Sequence, residues 1–166
     1  MDVKIRRESA ADAAEISAVT RAAFLEAPYR SGTEAFIVEA LRDAGMLSVS
    51  LVAEHEGKVV GHVAVSPVSI SDGTPGWYGL GPISVLPEFQ QRGIGSRLME
   101  EALAALRELR ASGCVLLGEP EYYGRFGFRA EPSLVLPGVP PEYFQALPLS
   151  GPLPHGVVQY HESFSQ

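Results

Sequence analysis

A single cysteine, Cys114, stands among the 166 residues. One thiol makes neither an internal disulfide nor a multi-cysteine metal site, and in the apolar run Cys114-Val115-Leu116-Leu117 it reads as a small core side chain. Basic residues are outnumbered too: 13 Lys+Arg against 20 Asp+Glu give a formal charge of −7. That balance repels a polyanion and argues against nucleic acid as a partner. No apolar run approaches the ~20 residues a membrane helix needs, and Met1-Asp2-Val3-Lys4-Ile5-Arg6-Arg7 lacks a signal peptide's apolar core. A cytoplasmic protein without a membrane partner is therefore expected. The histidines His55, His155 and His161 lack metal-ligand spacing and no metal is expected; His62, inside a strand-like run, suits a core or surface residue. There is no internal repeat and no low-complexity tract.

What is present is a globular composition, 46% hydrophobic and 20% charged. At this length it suits a single domain spanning residues 1–166. Val3 to Arg6 alternates in the manner of a short strand, and Ser9-Ala-Ala-Asp12 is a capping signal for a helix running to about Ala23. Ser31-Gly-Thr-Glu34 repeats the signal before Phe36, Ile37, Ala40 and Leu41, with Gly45 as the stop. Ser48 to Glu54 and Val59 to Val65 flank a turn at Glu56-Gly57-Lys58 and predict a hairpin. Trp77 to Val85 predicts a further strand. Ile94, Leu98, Ala102, Ala105, Leu106 and Leu109 then share one face of a long amphipathic helix. Gly113 is its expected stop, and Cys114 to Leu117 a short buried strand parallel to the one before the helix. In the Pro-rich remainder, Ser133 to Leu136 and Val157 to His161 look strand-like.

Chemistry concentrates at Gln90-Gln91-Arg92-Gly93-Ile94-Gly95-Ser96, between a strand and the best helix. Gly93 and Gly95 carry no side chain to obstruct a ligand, and the first amides of a helix have no internal acceptor, so they suit phosphate oxygens. Arg92 and Arg97 offer further positive charge. Glycines at a helix start also serve plain tight turns. A Gly-x4-Gly-Lys-Ser/Thr loop is absent, and a dinucleotide fingerprint would want a third small residue where Leu98 stands.

Ile83-Ser-Val85 followed by Leu86-Pro-Glu-Phe-Gln-Gln-Arg-Gly-Ile-Gly95 resembles the acyl-CoA-binding core of the GNAT-type N-acetyltransferases, Arg/Gln-x-x-Gly-x-Gly/Ala after a strand. Tyr123-Gly-Arg-Phe-Gly-Phe128 is similar to that family's closing Tyr-x-x-x-Gly-Phe element, and Pro120 to Phe128 resembles its small bacterial YhbS-like branch. The resemblance implies an α/β (α+β) fold: a mixed, mostly antiparallel central sheet with a splayed pair of parallel strands and flanking helices. It implies an acetyl-CoA-dependent N-acetyltransferase, with acetyl-CoA (CoA) as cosubstrate, acting on a primary amine of a small molecule, peptide or protein by direct attack.

Carried over residue by residue, the amides of Gln91, Arg92, Gly93, Ile94, Gly95 and Ser96 hold the CoA pyrophosphate. The backbone of Ile83, Ser84 and Val85 pairs with the pantetheine arm. Gly81-Pro82 suits either a bulge that opens the ladder or a bent edge strand. Tyr123 stands at the general-acid position, with Tyr122 as its neighbour; both also suit core aromatics. An amine with a pKa near ~10.4 needs a base or a water relay. The two strands hold no carboxylate or histidine, so Glu119, with Glu121 behind it, is the candidate base; both also suit the free amides of a helix start. In the family, substrate choice falls to the first helices and their connection, here Phe24 to Gly32, and to the closing stretch after Arg129; Glu26 and Glu34 near that entrance suit a cation. Family habit adds a possible homodimer through C-terminal strands. Two other readings fit the same residues: a non-catalytic acyl-CoA-binding module, and an acyltransferase using a longer acyl-CoA.

Overall fold

The computed structural model describes residues 2–25 and 33–165. Glu26 and most of the Phe24 to Gly32 segment lie outside the described residues. The chain opens with β1 (Lys4–Arg7), α1 (Ala13–Phe24) and α2 (Glu34–Asp43). The Ser9 N–H donates to the Asp12 carboxylate at 2.7 Å, as the capping signal requires. Gly45, at φ 71°, ends α2 with its N–H on Arg42 O and the Met46 N–H on Leu41 O. The buried side of α2 is Ala35, Ile37, Val38 and Leu41; Phe36, expected on it, is 50% exposed because it falls on the flank of that stripe.

β2 (Val49–His55) and β3 (Lys58–Pro67) form the predicted hairpin. Its two turn residues, Glu56 and Gly57, both have positive φ, which matches the right-handed twist of the flanking strands. β4 (Ser69–Ile70) and β5 (Trp77–Val85) follow, then α3 (Ile94–Glu108), β6 (Gly113–Leu117) and the short α4 (Pro120–Gly124). Ile94, Leu98, Met99, Ala102, Leu103, Ala105 and Leu106 of α3 are buried. Leu109, expected on that face, is 47% exposed, since it is already the capping residue. Gly113 is not the stop. Arg110 takes the left-handed conformation (φ 59°), and the bonds Arg110 N–H to Arg107 O and Ala111 N–H to Leu106 O close the helix. Gly113 opens β6 instead, where a Cβ would strike the Trp77 indole.

The last part holds β7 (Arg129–Ala130), β8 (Leu134–Val135), β9 (Phe144–Pro148) and β10 (Gly156–Gln159). β8 falls within the first predicted piece and β10 overlaps the second, starting one residue earlier and ending two earlier; β9 was not foreseen. It joins the main seven-stranded sheet, whose order is β1-β2-β3-β5-β6-β9-β7, while β4, β10 and β8 form a smaller sheet. Every pairing in the main sheet is antiparallel except β5 with β6. α3 packs its apolar face on one side of this sheet with Val49, Leu51, Val63 and Leu116. On the other side, Ile16, Val19 and Val38 of α1 and α2 meet Val52 and Ala64, and the small sheet covers Trp77 and Val115.

Two irregularities shape the centre. Val63 pairs with Ile83 but Val65 with Leu80, so Gly81 and Pro82 together face the single residue Ala64. That is a bulge, and β5 is interior, which settles the alternative of a bent edge strand. The parallel ladder of β5 and β6 runs only from Trp77/Gly113 to Gly79/Val115, although β5 continues to Val85 and β6 to Leu117. Beyond Gly79 the two strands part.

Candidate active site

The parted strands face the start of α3. Gln91 (φ 64°) and Gly93 (φ 82°) turn the chain from β5 into the helix. The Arg97 N–H donates to Gly93 O at 3.1 Å. The amides of residues 94–96 therefore precede the first helical hydrogen bond and point out of the helix tip. A Cβ at Gly93 would meet nothing within 4 Å, and one at Gly95 only the Tyr122 hydroxyl at 3.5 Å. These two positions border open space shaped for a ligand that approaches the backbone closely.

That space is a cleft of about 500 Å³ lined by Ile83, Ser84, Val85, Phe89, Gln90 and Gln91, by Gly93 to Ser96, and by Tyr122, Tyr123 and Arg125. Most of the sequence-predicted residues converge here; Arg92, Arg97, Glu119 and Glu121 do not. Arg92 is not among the lining residues and lies with its guanidinium carbon 5.7 Å from the Phe89 ring centroid. Glu119 is exposed at the N-cap of α4, outside the lining, with Glu121 exposed beside it. Arg97, expected near the phosphate charge, is turned elsewhere, donating to Val3 O at 2.7 Å. His55 donates from Nδ1 to Asp2 O, and the His161 ring accepts from the Ser163 N–H. No cluster of metal-ligating side chains occurs among the described residues.

Two contributors, Arg125 and β9, were missed, and Gln90 of the predicted loop has a role that the sequence does not show. Gln90 donates its amide to Val85 O at 3.0 Å and ties the loop to the end of β5. Arg125 stacks 4.3 Å above the Tyr122 ring and reaches Ser96 Oγ at 3.4 Å, bringing a cation to the helix tip that Arg97 does not supply. Its position within Tyr123-Gly-Arg-Phe-Gly-Phe was the available signal. The other missed contributor is β9, whose Gln145 is buried and donates to Gly118 O at 2.9 Å, while the Gly118 N–H donates to Tyr143 O at 3.0 Å.

Gly118 matters because the Tyr123 ring occupies the space a Cβ there would need. Tyr123 is half-buried and stands edge-on to Tyr122, centroids 4.8 Å apart at 90°. Burial, reinforced by Tyr122, pushes its hydroxyl up to about 12. Tyr123 therefore keeps its proton across the neutral range. Tyr122 is tied by its hydroxyl to Ser96 Oγ at 3.2 Å and bridges α4 to α3. Cys114 is fully buried, and burial raises its thiol well above the usual range, in keeping with a core residue.

A mixed sheet opened between two parallel strands in front of a free helix tip is the architecture of an acetyltransferase. An acetyltransferase (GNAT) domain family matches residues 47–130. The uncharacterized N-acetyltransferase YhbS of Escherichia coli K12 is 36% identical over 170 residues, 98% of each chain. A crystal structure of a GNAT family acetyltransferase from Brucella melitensis in complex with acetyl-CoA superposes with a TM-score of 0.88, at 50% identity over 98% of each chain. The E. coli YhbS structure in complex with CoA superposes at 0.89, 35% identical, covering 99% of this chain and 92% of that one. The chain belongs to the GNAT family of acetyltransferases.

Proposed function

We propose that the whole chain acts as a single N-acetyltransferase domain, taking acetyl-CoA as donor and a primary amine as acceptor. The observation that carries this reading is the parting of β5 from β6 beyond Gly79, directly before the unpaired amides of α3. Relatives solved with acetyl-CoA and with CoA support it. Acetyl-CoA supplies an acetyl thioester, whose carbonyl carbon the amine attacks without an acyl-enzyme.

The chain's own groups do the rest. The amides of Gln91 to Ser96 hold the pyrophosphate at the positive end of the helix. The backbone of Ile83, Ser84 and Val85 on the parted side of β5 pairs with the pantetheine arm, since the other side is already bonded to β3. Tyr123 donates a hydrogen bond to the departing thiolate. With its hydroxyl at about 12, it acts as a donor that retains its own proton more firmly than an ordinary phenol. Glu119 stands as an exposed carboxylate one helical turn before Tyr123, available to a cationic amine. No helix among the described residues is long and apolar enough to cross a membrane. A homodimer through the small sheet, where Val135 and Val157 are exposed, belongs to the same reading and is tested by ultracentrifugation.

Calorimetry with acetyl-CoA, followed by thiol release over a panel of small, peptide and protein amines, tests the function. Binding with amine-dependent release is expected. Tight binding with no release to any amine would instead make this a non-catalytic acyl-CoA module, and a preference for longer acyl chains an acyltransferase of wider pocket.

A further inference from the structure

The cleft opens on the face of the sheet that carries α3, where Ile83, Val85 and Tyr123 of its lining pack. A second cavity, of about 600 Å³, lies in the connection between β7 and β9, lined by Leu136, Val139, Pro141 and Phe144 with Glu131 and Glu142 among them. Its floor belongs to the opposite face. Side chains alternate along a strand, and Leu116 packs with α3 whereas Val115 and Phe144 pack with the small sheet. Leu117, the last residue of β6, therefore shares a face with Phe144, its partner across the ladder. It is 47% exposed. The Gly118 N–H, on Tyr143 O at 3.0 Å, fixes the cavity wall of Glu142 and Phe144 against the end of β6. That end of β6 borders the gap, since its pairing with β5 stops at Val115. Gap, Leu117, Phe144 and cavity thus follow one another on one face within about two strand spacings, roughly 10 Å. No pairing closes the gap beyond Gly79, so a molecule on this face reaches a thioester held from the other.

The cavity is mostly apolar and of a size that suits a small molecule. Its charges have one sign. From Ala130 to Gln166 the chain holds no lysine or arginine, and neither Glu131 nor Glu142 forms a salt bridge among the described residues. Glu119, exposed two residues past Leu117, adds a carboxylate near the gap. Charge of this sign attracts a cation, repels the free carboxylate of an amino acid, and offers nothing to a neutral acyl chain. We propose that the cavity receives the body of the acceptor: an aromatic or branched aliphatic group without acidic substituents, joined by a chain of roughly 10 Å to the primary amine, which enters the gap over Leu117. The inference rests on the acetyltransferase reading above. The apolar body supplies affinity through Val139, Leu136 and Phe144, and the carboxylates at Glu131 and Glu142 draw in the ammonium form before it reaches the gap.

Thiol release with 6-phenylhexylamine, whose chain spans this distance, is compared with that of n-butylamine, which lacks the body. A kcat/KM roughly tenfold or more higher for the phenyl compound is expected, from burial of its ring. Val139→Asp should remove most of that advantage and leave the acetyl-CoA Kd within about twofold. Glu131→Gln combined with Glu142→Gln, both away from the core, should raise the KM for 6-phenylhexylamine roughly threefold at low salt and less at high salt. Methyl NMR of the leucine- and valine-labelled chain with CoA bound locates the amine: shifts at Leu117, Leu136 and Val139 are expected. Equal kcat/KM for the two amines overturns this inference and leaves the acetyltransferase reading standing. So do methyl shifts caused by octanoyl-CoA and not by the amine, which make the cavity an acyl pocket, or by raised protein concentration alone, which give it to a second copy of the chain. A chain that binds acetyl-CoA but acetylates no amine overturns the parent reading and this inference together.

Discussion

The ring of Tyr123 fills the space that a side chain at residue 118 would need, and Gly118 is held there by Gln145 of β9 on its carbonyl and by Tyr143, just before β9, on its N–H. The position of the phenol is thus set by a glycine five residues earlier and by a strand more than twenty residues later.

Enlarging Gly118 is expected to reproduce the loss of the hydroxyl without touching it. Tyr123→Phe should lower turnover by roughly 10²-fold with little change in acetyl-CoA affinity, if departure of the thiolate limits the rate. Gly118→Ala should also lower kcat at near-constant affinity, because the ring must move aside. Steady-state kinetics beside calorimetry separates the two quantities. Wild-type kcat in Tyr123→Phe would remove the phenol from the reaction.

The opposite split is expected at the glycine loop. Gly93 has φ 82° and borders open space. A valine there is strained and projects across the approach to the helix amides. Acetyl-CoA affinity should fall by about tenfold or more, the worth of one or two charge-assisted bonds. Titration of Gly93→Val at wild-type affinity would show the amides to be uninvolved.

Acid stability should carry the signature of His62, which is fully buried in β3. Burial holds its folded value at about 4, whereas an unfolded histidine titrates near ~6.5. Between these values the unfolded chain binds a proton that the folded chain refuses, so stability rises with pH through this window and is lost on acidification. The shift corresponds to about 3 kcal/mol. Glu8 and Asp12, both depressed and both bonded to arginine, lose their contributions only at lower pH. Urea unfolding from pH 4.5 to 6.5 should show the slope in the wild type and a flatter line in His62→Gln; equal slopes would contradict the assignment.

At Gly113 the expected effect is on folding alone. A Cβ there meets the Trp77 indole, itself buried. Gly113→Ala should cost about 1–3 kcal/mol by overpacking, seen as a lower urea midpoint. An unshifted midpoint would mean that the ring yields freely.

The hairpin, β5, α3 and β6 were legible because each has a strong local signature: a Glu56-Gly57 turn, an apolar run, a helical stripe, a short buried segment. The cleft was legible because free amides and glycines at a helix start are themselves a local pattern. What could not be read depends on distant partners. Gly113 looks like a helix stop in sequence, yet its role is set by Trp77 across the sheet. Arg97 and Arg125 are equally plausible phosphate partners on paper; the fold sends one to Val3 and the other to Ser96. β9 was hidden by its Pro-rich surroundings.

The acetyltransferase domain model matches only as far as residue 130, but β9 spans Phe144–Pro148 and runs along the whole of β6. A fragment trimmed to the matched residues would bare one flank of β6, leaving a sticky rim of unpaired amides and carbonyls on which another molecule could zip. The tail is thus the chain's own guard against clumping.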